Sequence, residues 1–245
     1  MTTKPCAMVI GASGGIGDAL VQQLGESSRY SAVYAVTRQA PANPVADVHY
    51  RQVDSSDEAQ IAALCDELKA GPQFTCIICC AGLLHADDDA LQVQPEKRLE
   101  DISAEQLLAY FKVNSVMPAL WIKHSASLLK GSAAATLTVL SARVGSISDN
   151  KMGGWYGYRA SKAALNMLVK TAQVEYRRRA PNVSLLCYHP GTVDTNLSRP
   201  FQRNVPADKL FSAEFTAQQL LQLLPGLTAD EGPYYLDWQG KEIAW

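Results

Sequence analysis

A glycine-rich turn between an apolar run and an amphipathic run is the feature that most constrains how this chain can fold. Residues 7–10 form a short apolar stretch that leads directly into the turn Gly11-Ala-Ser-Gly-Gly-Ile-Gly17. The apolar residues that follow recur at helical spacing: Ala19, Leu20, Val21 and Leu24. In the order strand, glycine turn, helix, the glycines let the backbone approach a pyrophosphate at the positive end of the helix. We therefore predict a dinucleotide site at this turn.

The rest of the chain alternates between strand-like apolar runs and helical amphipathic runs. Further strands are predicted at residues 32–36, 48–53, 74–80, 135–140, 183–188 and 234–236, and helices at 57–69, from 103, at 160–176 and at 213–224. Such alternation is typical of a doubly wound parallel sheet with helices on both faces. A chain of 245 residues, 47% of them hydrophobic, can bury the core that this fold needs. The prediction is an α/β Rossmann fold in a single domain, 1–245, with a sheet of about seven strands.

Charge and composition narrow the class of ligand. The net charge of -2 and the pI near 6.1 provide no basic face for nucleic acid and no polybasic patch for a membrane, so we expect a small-molecule substrate. The first apolar run is too short for a signal sequence and no later run could span a membrane, so we expect a cytoplasmic protein. The six cysteines lie mostly in apolar runs, which favours reduced thiols. Cys76 and Cys79, three apart in a strand, point to opposite faces, so we predict no metal site.

The ends of the predicted strands supply candidate cofactor contacts. The second strand ends at Thr37-Arg38, the position at which a dinucleotide-binding fold contacts the adenosine ribose. A cation at this position suits a 2'-phosphate, which favours NADP(H) over NAD(H). The third ends at Asp54-Ser55, near the expected adenine; Asp54 is a candidate to bind it, and Ser55 or Ser56 alternatively to cap the next helix. The fourth leads into Ala81-Gly82, a small-residue turn that lets the cofactor ribose approach.

Tyr158 and Lys162 are the candidate catalytic pair. They lie four residues apart at the start of an amphipathic helical run, so their side chains share one face. A cation beside a phenol favours the phenolate and lowers the pKa of the phenol, which would make Tyr158 a proton donor to a carbonyl oxygen. Tyr156 has Ala160 four residues later and is interpreted as a packing or substrate-wall aromatic.

Three other segments are predicted to form a helix bend, a surface loop and a lid. In the helix from residue 103, Pro118 cannot donate to the carbonyl of Asn114, so we predict a bend and a carbonyl free to hold a water. Residues 85–100 are polar and are predicted to be a surface loop. Residues 196–212, with two prolines, are predicted to form a mobile lid.

Taken together, these motifs resemble the short-chain dehydrogenase/reductase family over essentially the whole chain. The matching motifs are Gly11-x-x-x-Gly15-Ile-Gly17, Ala81-Gly82, Asn114, Tyr158-x-x-x-Lys162 and Pro190-Gly191 with Thr195. The segment 144–166 and the ending Leu-Asp-Trp-Gln-Gly-Lys-Glu-Ile resemble the C-factor and sniffer-like carbonyl reductase branch.

The resemblance implies an NADPH-dependent reductase of a ketone or aldehyde, active as a homodimer or homotetramer through the Asn114 and Tyr158 helices. Tyr158 would be the general acid, Lys162 would lower its pKa and bind the nicotinamide ribose, and Asn114 would anchor a water in a proton relay. The implied cofactor-binding residues are Gly11, Ser13, Gly15, Ile16, Gly17, Arg38, Asp54, Ser55, Ala81, Gly82, Tyr158, Lys162, Pro190, Gly191 and Thr195.

Two departures from the family pattern leave alternatives open. Cys80 stands where the family commonly has Asn. Ser141 is the candidate catalytic serine, although the usual family spacing falls on Gly145 and Ser146 is a rival. The alternatives to a carbonyl reductase are an NAD-dependent alcohol dehydrogenase and a nucleotide-binding, C-factor-like signalling protein with little turnover. The substrate pocket is expected between residues 150–155 and 196–212.

Overall fold

A computed structural model describes residues 4–71, 73–88 and 91–245. Seven strands form one sheet in which every neighbouring pair is parallel. The strands are β1 (Cys6–Ile10), β2 (Ala32–Thr37), β3 (Val48–Gln52), β4 (Phe74–Cys79), β7 (Ala135–Leu140), β8 (Val183–His189) and β11 (Tyr234–Asp237), numbered in chain order with four short strands given below. Their order across the sheet is β11-β8-β7-β4-β1-β2-β3. The order reverses between β1 and β4, the switch point beside which ligands bind in open α/β sheets.

Helices cover both faces of the sheet. They are α1 (Gly15–Glu26), α2 (Glu58–Leu68), α3 (Ala104–Phe111), α4 (Met117–Leu129), α5 (Tyr156–Arg179) and α6 (Ala213–Leu223). One buried cluster joins α2, α4 and α5 to the sheet, and a second joins α1 and α6 to the opposite face. The predicted doubly wound Rossmann fold is therefore confirmed.

Both faces of the central strands are buried, which explains their continuous apolar runs. In β1, Met8 packs in the cluster under α2, α4 and α5, whereas Ala7 and Val9 pack in the cluster under α1 and α6. In β4, Cys76 and Cys79 likewise lie in opposite clusters, as the alternation of a strand requires. All six cysteines are free thiols.

The predicted loop at residues 85–100 was only partly right. It contains an antiparallel hairpin of two short strands, β5 (Ala86–Asp88) and β6 (Leu91–Val93); residues 89 and 90 lie outside the described part. Gln92 donates to the carboxylate of Asp87 across the hairpin at 3.1 Å. Polar cross-strand pairs such as this one hide the alternation by which strands are recognised in a sequence.

The predicted bend before Pro118 takes the form of a π-helical turn. Residues Lys112–Val116 form that turn between α3 and α4, and the N–H of Met117 donates to the carbonyl of Lys112, five residues earlier. Pro118, one residue later, has no N–H for the carbonyl of Asn114, so the regular α-helical bond at that point cannot form. The wider turn carries Asn114 into the protein interior.

Within the described residues, no helix combines the length and apolar character needed to cross a bilayer. Over the same part of the chain, no three His, Cys, Asp or Glu side chains lie close enough to hold a metal ion.

Candidate active site

A cleft of about 450 Å³ opens at the carboxyl edge of the sheet, beside the switch point between β1 and β4. Most of the predicted site residues line it, although they are spread over 183 positions of sequence between Ser13 and Thr195, counted inclusively. The predicted residues in its wall are Ser13, Gly15, Ile16, Gly17, Ala81, Gly82, Ser141, Tyr158, Lys162, Pro190 and Thr195. The fold therefore brings the glycine turn and the Tyr158 helix to one cavity.

The glycine turn is built for close backbone approach. Gly11 has φ +76 and its N–H donates to the carbonyl of Val36 at 3.0 Å, which fastens the turn to the end of β2. A Cβ added at Gly17 would lie 2.3 Å from the carbonyl oxygen of Gly11, so only glycine allows α1 to start this close to β1. The first N–H groups of α1 have no carbonyl earlier in the helix to bond. The residues that carry these groups line the cleft, and the turn fits the pyrophosphate of a dinucleotide.

Three predicted cofactor residues, Arg38, Asp54 and Ser55, lie outside the wall of this cleft, beyond the ends of β2 and β3. Arg38 is exposed. Hydrogen bonds from Ser56 to the Asp54 carboxylate, and more weakly the Arg38 guanidinium, hold the pKa of Asp54 below its usual range. Ser55 accepts a hydrogen bond from the indole N–H of Trp121 at 3.0 Å.

The alternative assignment of Ser55 or Ser56 as a helix cap is wrong. The N-cap of α2 is Asp57, whose carboxylate accepts from the N–H groups of Ala59 and Gln60. The helix begins one residue later than the predicted start, so the acceptor is Asp57 itself and the two serines are left outside the first turn.

Tyr158 and Lys162 are both buried at the cleft, on one face of α5. The Lys162 ammonium donates to the carbonyl of Leu140 at 2.9 Å and lies 5.8 Å from the centroid of the Tyr158 ring. Burial lowers the pKa of Lys162 to about 8. Burial, followed by the influence of Tyr235, raises the pKa of Tyr158 above its ordinary value.

The expected lowering of the Tyr158 pKa by Lys162 is therefore not what this structure shows. The loss of hydration around the phenol is the main cause of its raised pKa, and the Lys162 nitrogen is bonded to a main-chain oxygen. Tyr158 is protonated at neutral pH, and Lys162 is mostly charged there.

Asn114 connects the β4 loop to α5. Its side-chain oxygen accepts from the N–H of Leu83 at 2.8 Å, and its amide N–H₂ donates to the carbonyl of Leu83 at 2.9 Å and to the hydroxyl of Ser161 at 3.0 Å. A Cβ at Gly82 would lie 3.8 Å from the Lys162 nitrogen and 4.0 Å from the Asn114 side-chain oxygen. Asn114 thus stands directly behind the cleft wall, next to Lys162.

Ser141 and Ser146, the rival serines, occupy different places. Ser141 lines the cleft together with Tyr158, and its hydroxyl donates to the side-chain oxygen of Asn166 at 2.7 Å. Ser146 lies in a turn outside the cleft wall, where its hydroxyl accepts from the N–H of Asp149 at 3.1 Å. The position of Ser141 fits a contact with substrate, but its hydroxyl hydrogen is already bonded to Asn166.

A second cavity of about 280 Å³ adjoins the cleft and shares Ile16, Ser141 and Tyr158 with it. Its wall is mostly apolar and includes Leu84, Val144, Trp155, Gly191, Leu197, Phe201 and Val205. The rings of Trp155 and Phe201 meet edge to face, with centroids 5.2 Å apart, and Trp155 also contacts the Tyr158 ring. Of the expected pocket segment 150–155, only Trp155 reaches this cavity.

The predicted lid at residues 196–212 has more order than expected. It contains two 3₁₀ turns, Arg199–Asn204 and Ala207–Lys209, and then β10 (Leu210–Phe211), which pairs with β9 (Thr192–Val193). His85 bonds to the main-chain oxygen of Asn196 at 3.0 Å, and its ring meets the Phe201 ring edge to face. The segment is therefore attached to His85 through side-chain contacts and to β9 through backbone pairing.

Sequence reasoning did not single out several residues of the site, although three of them lie in the 196–212 segment that was expected to line the substrate pocket. Leu140, Asn196, Leu197 and Arg199 line the cleft, and Asn166 holds Ser141. Arg199 belongs to a polar segment without periodicity, so no pattern marked it. Asn166 could have been found, because it lies four residues after Lys162 and eight after Tyr158, on the same face of α5.

Comparisons with known proteins identify the family of this chain. The family model described as short chain dehydrogenase matches residues 5–206. The C-signal protein of Myxococcus xanthus is 29% identical over 147 residues, which cover 60% of this chain and 83% of that protein.

Two solved structures share the fold. The carbonyl reductase Sniffer of D. melanogaster superposes with a TM-score of 0.82 at 20% identity, covering 100% of both chains. A carbonyl reductase from chicken fatty liver with bound NADPH has a TM-score of 0.82 at 23% identity, covering 100% of this chain and 96% of that one. With the family model extending from β1 across the cleft and into the 196–212 segment, this chain belongs to the short-chain dehydrogenase family of oxidoreductases.

Proposed function

We propose that this oxidoreductase is an NADPH-dependent carbonyl reductase that reduces a ketone or an aldehyde. The observation that carries the proposal is the position of Tyr158, whose side chain lines both the cleft with the glycine turn and the adjoining apolar cavity. NADPH would be held by the glycine turn, Gly82, Lys162 and the Pro190 to Thr195 segment, and when bound it supplies the hydride. The apolar cavity would hold the carbonyl substrate.

Tyr158 would supply the proton. Its raised pKa keeps the phenol protonated at neutral pH, so the proton is present for transfer to the substrate oxygen, which becomes far more basic than a phenolate during reduction. Lys162, with a pKa of about 8, would carry a positive charge next to this hydroxyl and bind the nicotinamide ribose. Ser141 would orient the carbonyl after exchanging its hydrogen bond to Asn166.

Tyr158→Phe tests the proton donor, because it removes one oxygen and keeps the ring. NADPH oxidation should be measured against a panel of ketones and aldehydes, and kcat should fall at least about 100-fold for a lost general acid. Tyr156→Phe is the matched control, since Tyr156 lies on the same helix and lines neither cavity. Equal kcat in the wild type and the Tyr158→Phe variant would contradict the proposed mechanism.

The preference for NADPH over NADH is proposed from Arg38, an exposed cation just beyond β2. Arg38→Asp replaces a partner for the 2'-phosphate with one for the 2'-hydroxyl, so the ratio of kcat/KM for NADPH to that for NADH should fall by about tenfold or more. The control is Arg29→Asp, which makes the same charge change before the start of β2, at the amino edge of the sheet. An unchanged ratio in Arg38→Asp would refute the role of Arg38, and a wild type that prefers NADH would favour the NAD-dependent alcohol dehydrogenase.

The cavity walls support an apolar substrate that carries a ring. Trp155 and Phe201 provide two aromatic surfaces, inclined to each other at 63°, next to Tyr158. Phe201→Ala should raise KM for aryl ketones by about tenfold and leave KM for small aliphatic aldehydes nearly unchanged. Equal effects on both classes would argue against ring recognition.

A nucleotide-binding protein with little turnover is the second candidate. The observation that favours it is the hydrogen bond from Ser141 to Asn166, which occupies the hydroxyl hydrogen of the serine that lines the substrate cavity at the end of β7. NADPH binding by calorimetry without oxidation across the whole carbonyl panel would support this candidate over the reductase.

We also propose that the chain forms a homodimer through the outer face of α5. Met167 and Val174 on this face are 61% and 56% exposed, and a groove of about 680 Å³ runs beside them to Trp245. Exposed apolar side chains at helical spacing favour association of two helix faces. Val174→Glu should convert the dimer to a monomer in sedimentation experiments, whereas Leu99→Glu, an equally apolar exposed site before α3, should not.

A further inference from the structure

Glu96 is the most buried acidic side chain in the described part of the chain, with 1% of its surface exposed. It lies between β6 and the 3₁₀ turn Leu99–Asp101, outside any regular element. Its carboxylate accepts from the N–H of Gly157 at 3.1 Å, and its main-chain oxygen accepts from the N–H of Trp155 at 2.5 Å. A single distant residue therefore holds the backbone on both sides of the point where α5 begins.

The start of α5 needs such an external partner. The N-cap residue, Trp155, has the left-handed conformation with φ 53, and its indole does not cap the helix. The first N–H groups of a helix lack internal acceptors, and the aligned peptide dipoles of a 24-residue helix favour an acceptor with negative character at this end. The Glu96 carboxylate fulfils both requirements at Gly157.

The first turn of α5 also packs tightly against Glu96 and Tyr110. A Cβ added at Gly157 would lie 2.4 Å from Cδ2 of Tyr110 and 2.7 Å from Oε1 of Glu96. Tyr110 is itself fixed, because its hydroxyl donates to the carbonyl of Leu84 at 2.7 Å. The Tyr158 ring, carried by the next residue, meets the rings of Tyr110 and Trp155 edge to face, with centroids 6.2 and 6.1 Å apart.

The second carboxylate oxygen of Glu96 points to a role beyond packing. Oε1 is buried and has no hydrogen-bonding partner among the described residues. A buried polar atom without a partner lowers stability, and a neutral cap such as serine or asparagine would fasten a helix start without that cost. The side chain of Glu96 is long enough to carry a carboxylate oxygen from the 94–98 segment to the N–H of Gly157.

We propose that Glu96 is a positioning residue that fixes the direction in which the Tyr158 hydroxyl enters the cleft. This inference rests on the proposed function of Tyr158 as the proton donor. Glu96 exchanges no proton with substrate; it acts through the N–H of Gly157, so that a shift of the first helical turn becomes a shift of the adjacent phenol. Misplacement of a reacting group by about 1 Å can cost about 100-fold in rate.

Two substitutions test the proposal by kinetics. Glu96→Ala should lower kcat by about 10- to 100-fold while KM for NADPH stays within about twofold, because the glycine turn that would hold the nucleotide is untouched. Glu96→Gln keeps the length and a carbonyl acceptor for Gly157 and should recover kcat to within about threefold of the wild type. Asp57→Ala is the matched control: it removes a carboxylate cap from α2, a helix without catalytic residues, and should lower thermal stability without changing kcat.

Hydrogen exchange gives a readout that does not depend on turnover. In Glu96→Ala, the amides of residues 157–160 should exchange at least about tenfold faster, whereas those of α2 should not change. Unchanged exchange at the start of α5, or a kcat loss in Glu96→Ala no larger than in Asp57→Ala, would overturn the inference. A wild-type protein that never oxidises NADPH would refute the proposed function instead, and the exchange rates would still decide whether Glu96 fastens the helix.

Discussion

The buried Lys162 makes the stability of this protein depend on pH in an unusual direction. Lys162 is 2% exposed, and its pKa falls from 10.5 to about 8 on folding because burial disfavours the ammonium. Between those two values the unfolded chain binds a proton that the folded chain has released. The free energy of unfolding should therefore rise as pH rises from about 8 to about 10.5, and the pKa difference corresponds to about 3 kcal/mol.

Lys162→Met isolates this contribution, since it keeps most of the side-chain volume and removes the ionisable group. Urea unfolding should be measured at intervals from about pH 7 to about pH 10.5 in the presence of a reductant, and each variant's free energy compared with the wild type at the same pH. Other groups titrate in this range in both proteins, so they cancel in the difference. The wild type should gain about 3 kcal/mol relative to Lys162→Met across the interval.

A parallel pH dependence in the two proteins would refute the reasoning, because it would mean that the Lys162 pKa is the same in the folded and unfolded chains. The control is Lys69→Met, at the exposed C-cap of α2, where a parallel curve is expected. An unchanged m-value would show that the substitution has not altered the amount of surface that unfolding exposes.

Three further outcomes are expected. Carbonyl reduction should decline as pH rises through about 8, because Lys162 then loses its charge; a pH–rate profile that is flat to about pH 10 would contradict this. Gly17→Ala should weaken NADPH binding by about tenfold or more in a calorimetric titration, since its Cβ would meet a main-chain oxygen at 2.3 Å, whereas Gly226→Ala, with open space around it, should bind normally. Ser141→Ala should lower the free energy of unfolding by about 1–3 kcal/mol in urea, because it leaves the buried side-chain oxygen of Asn166 without its donor; an unchanged value would show that the hydrogen bond contributes nothing.

The sheet could be predicted because the physical cause of its sequence pattern is local. Residues 74–79 are all buried, so every residue of the run except Thr75 is apolar, and the glycine turn after β1 indicates the connection to α1 directly. The same locality explains why the predicted residues meet at the cleft: parallel strands end at one edge, so Gly11, Gly82 and Ser141 had to come near one another once the alternation was recognised.

The remaining features depend on contacts between distant residues, which periodicity does not encode. The choice of Asp57 over two adjacent serines as the cap of α2 depends on where the helix begins to within one residue. The pKa of Tyr158 depends on how deeply the folded chain buries it, and spacing from Lys162 says nothing about that depth. Glu96 is one acidic residue in a polar stretch, and only the folded chain reveals that it reaches the start of α5, 61 positions away.

The π-helical turn at Lys112–Val116 has a consequence for related sequences. A helix advances by about 100° per residue, and a π-turn is an α-helix that has gained one residue, so α3 and α4 are one residue out of phase. This offset lets Asn114 reach Ser161 while Trp121 still fills the core and bonds to Ser55. A relative one residue shorter between the start of α3 and Pro118 would have to give up one of those two contacts, so the length of this segment is as diagnostic of the site as the identity of any side chain in it.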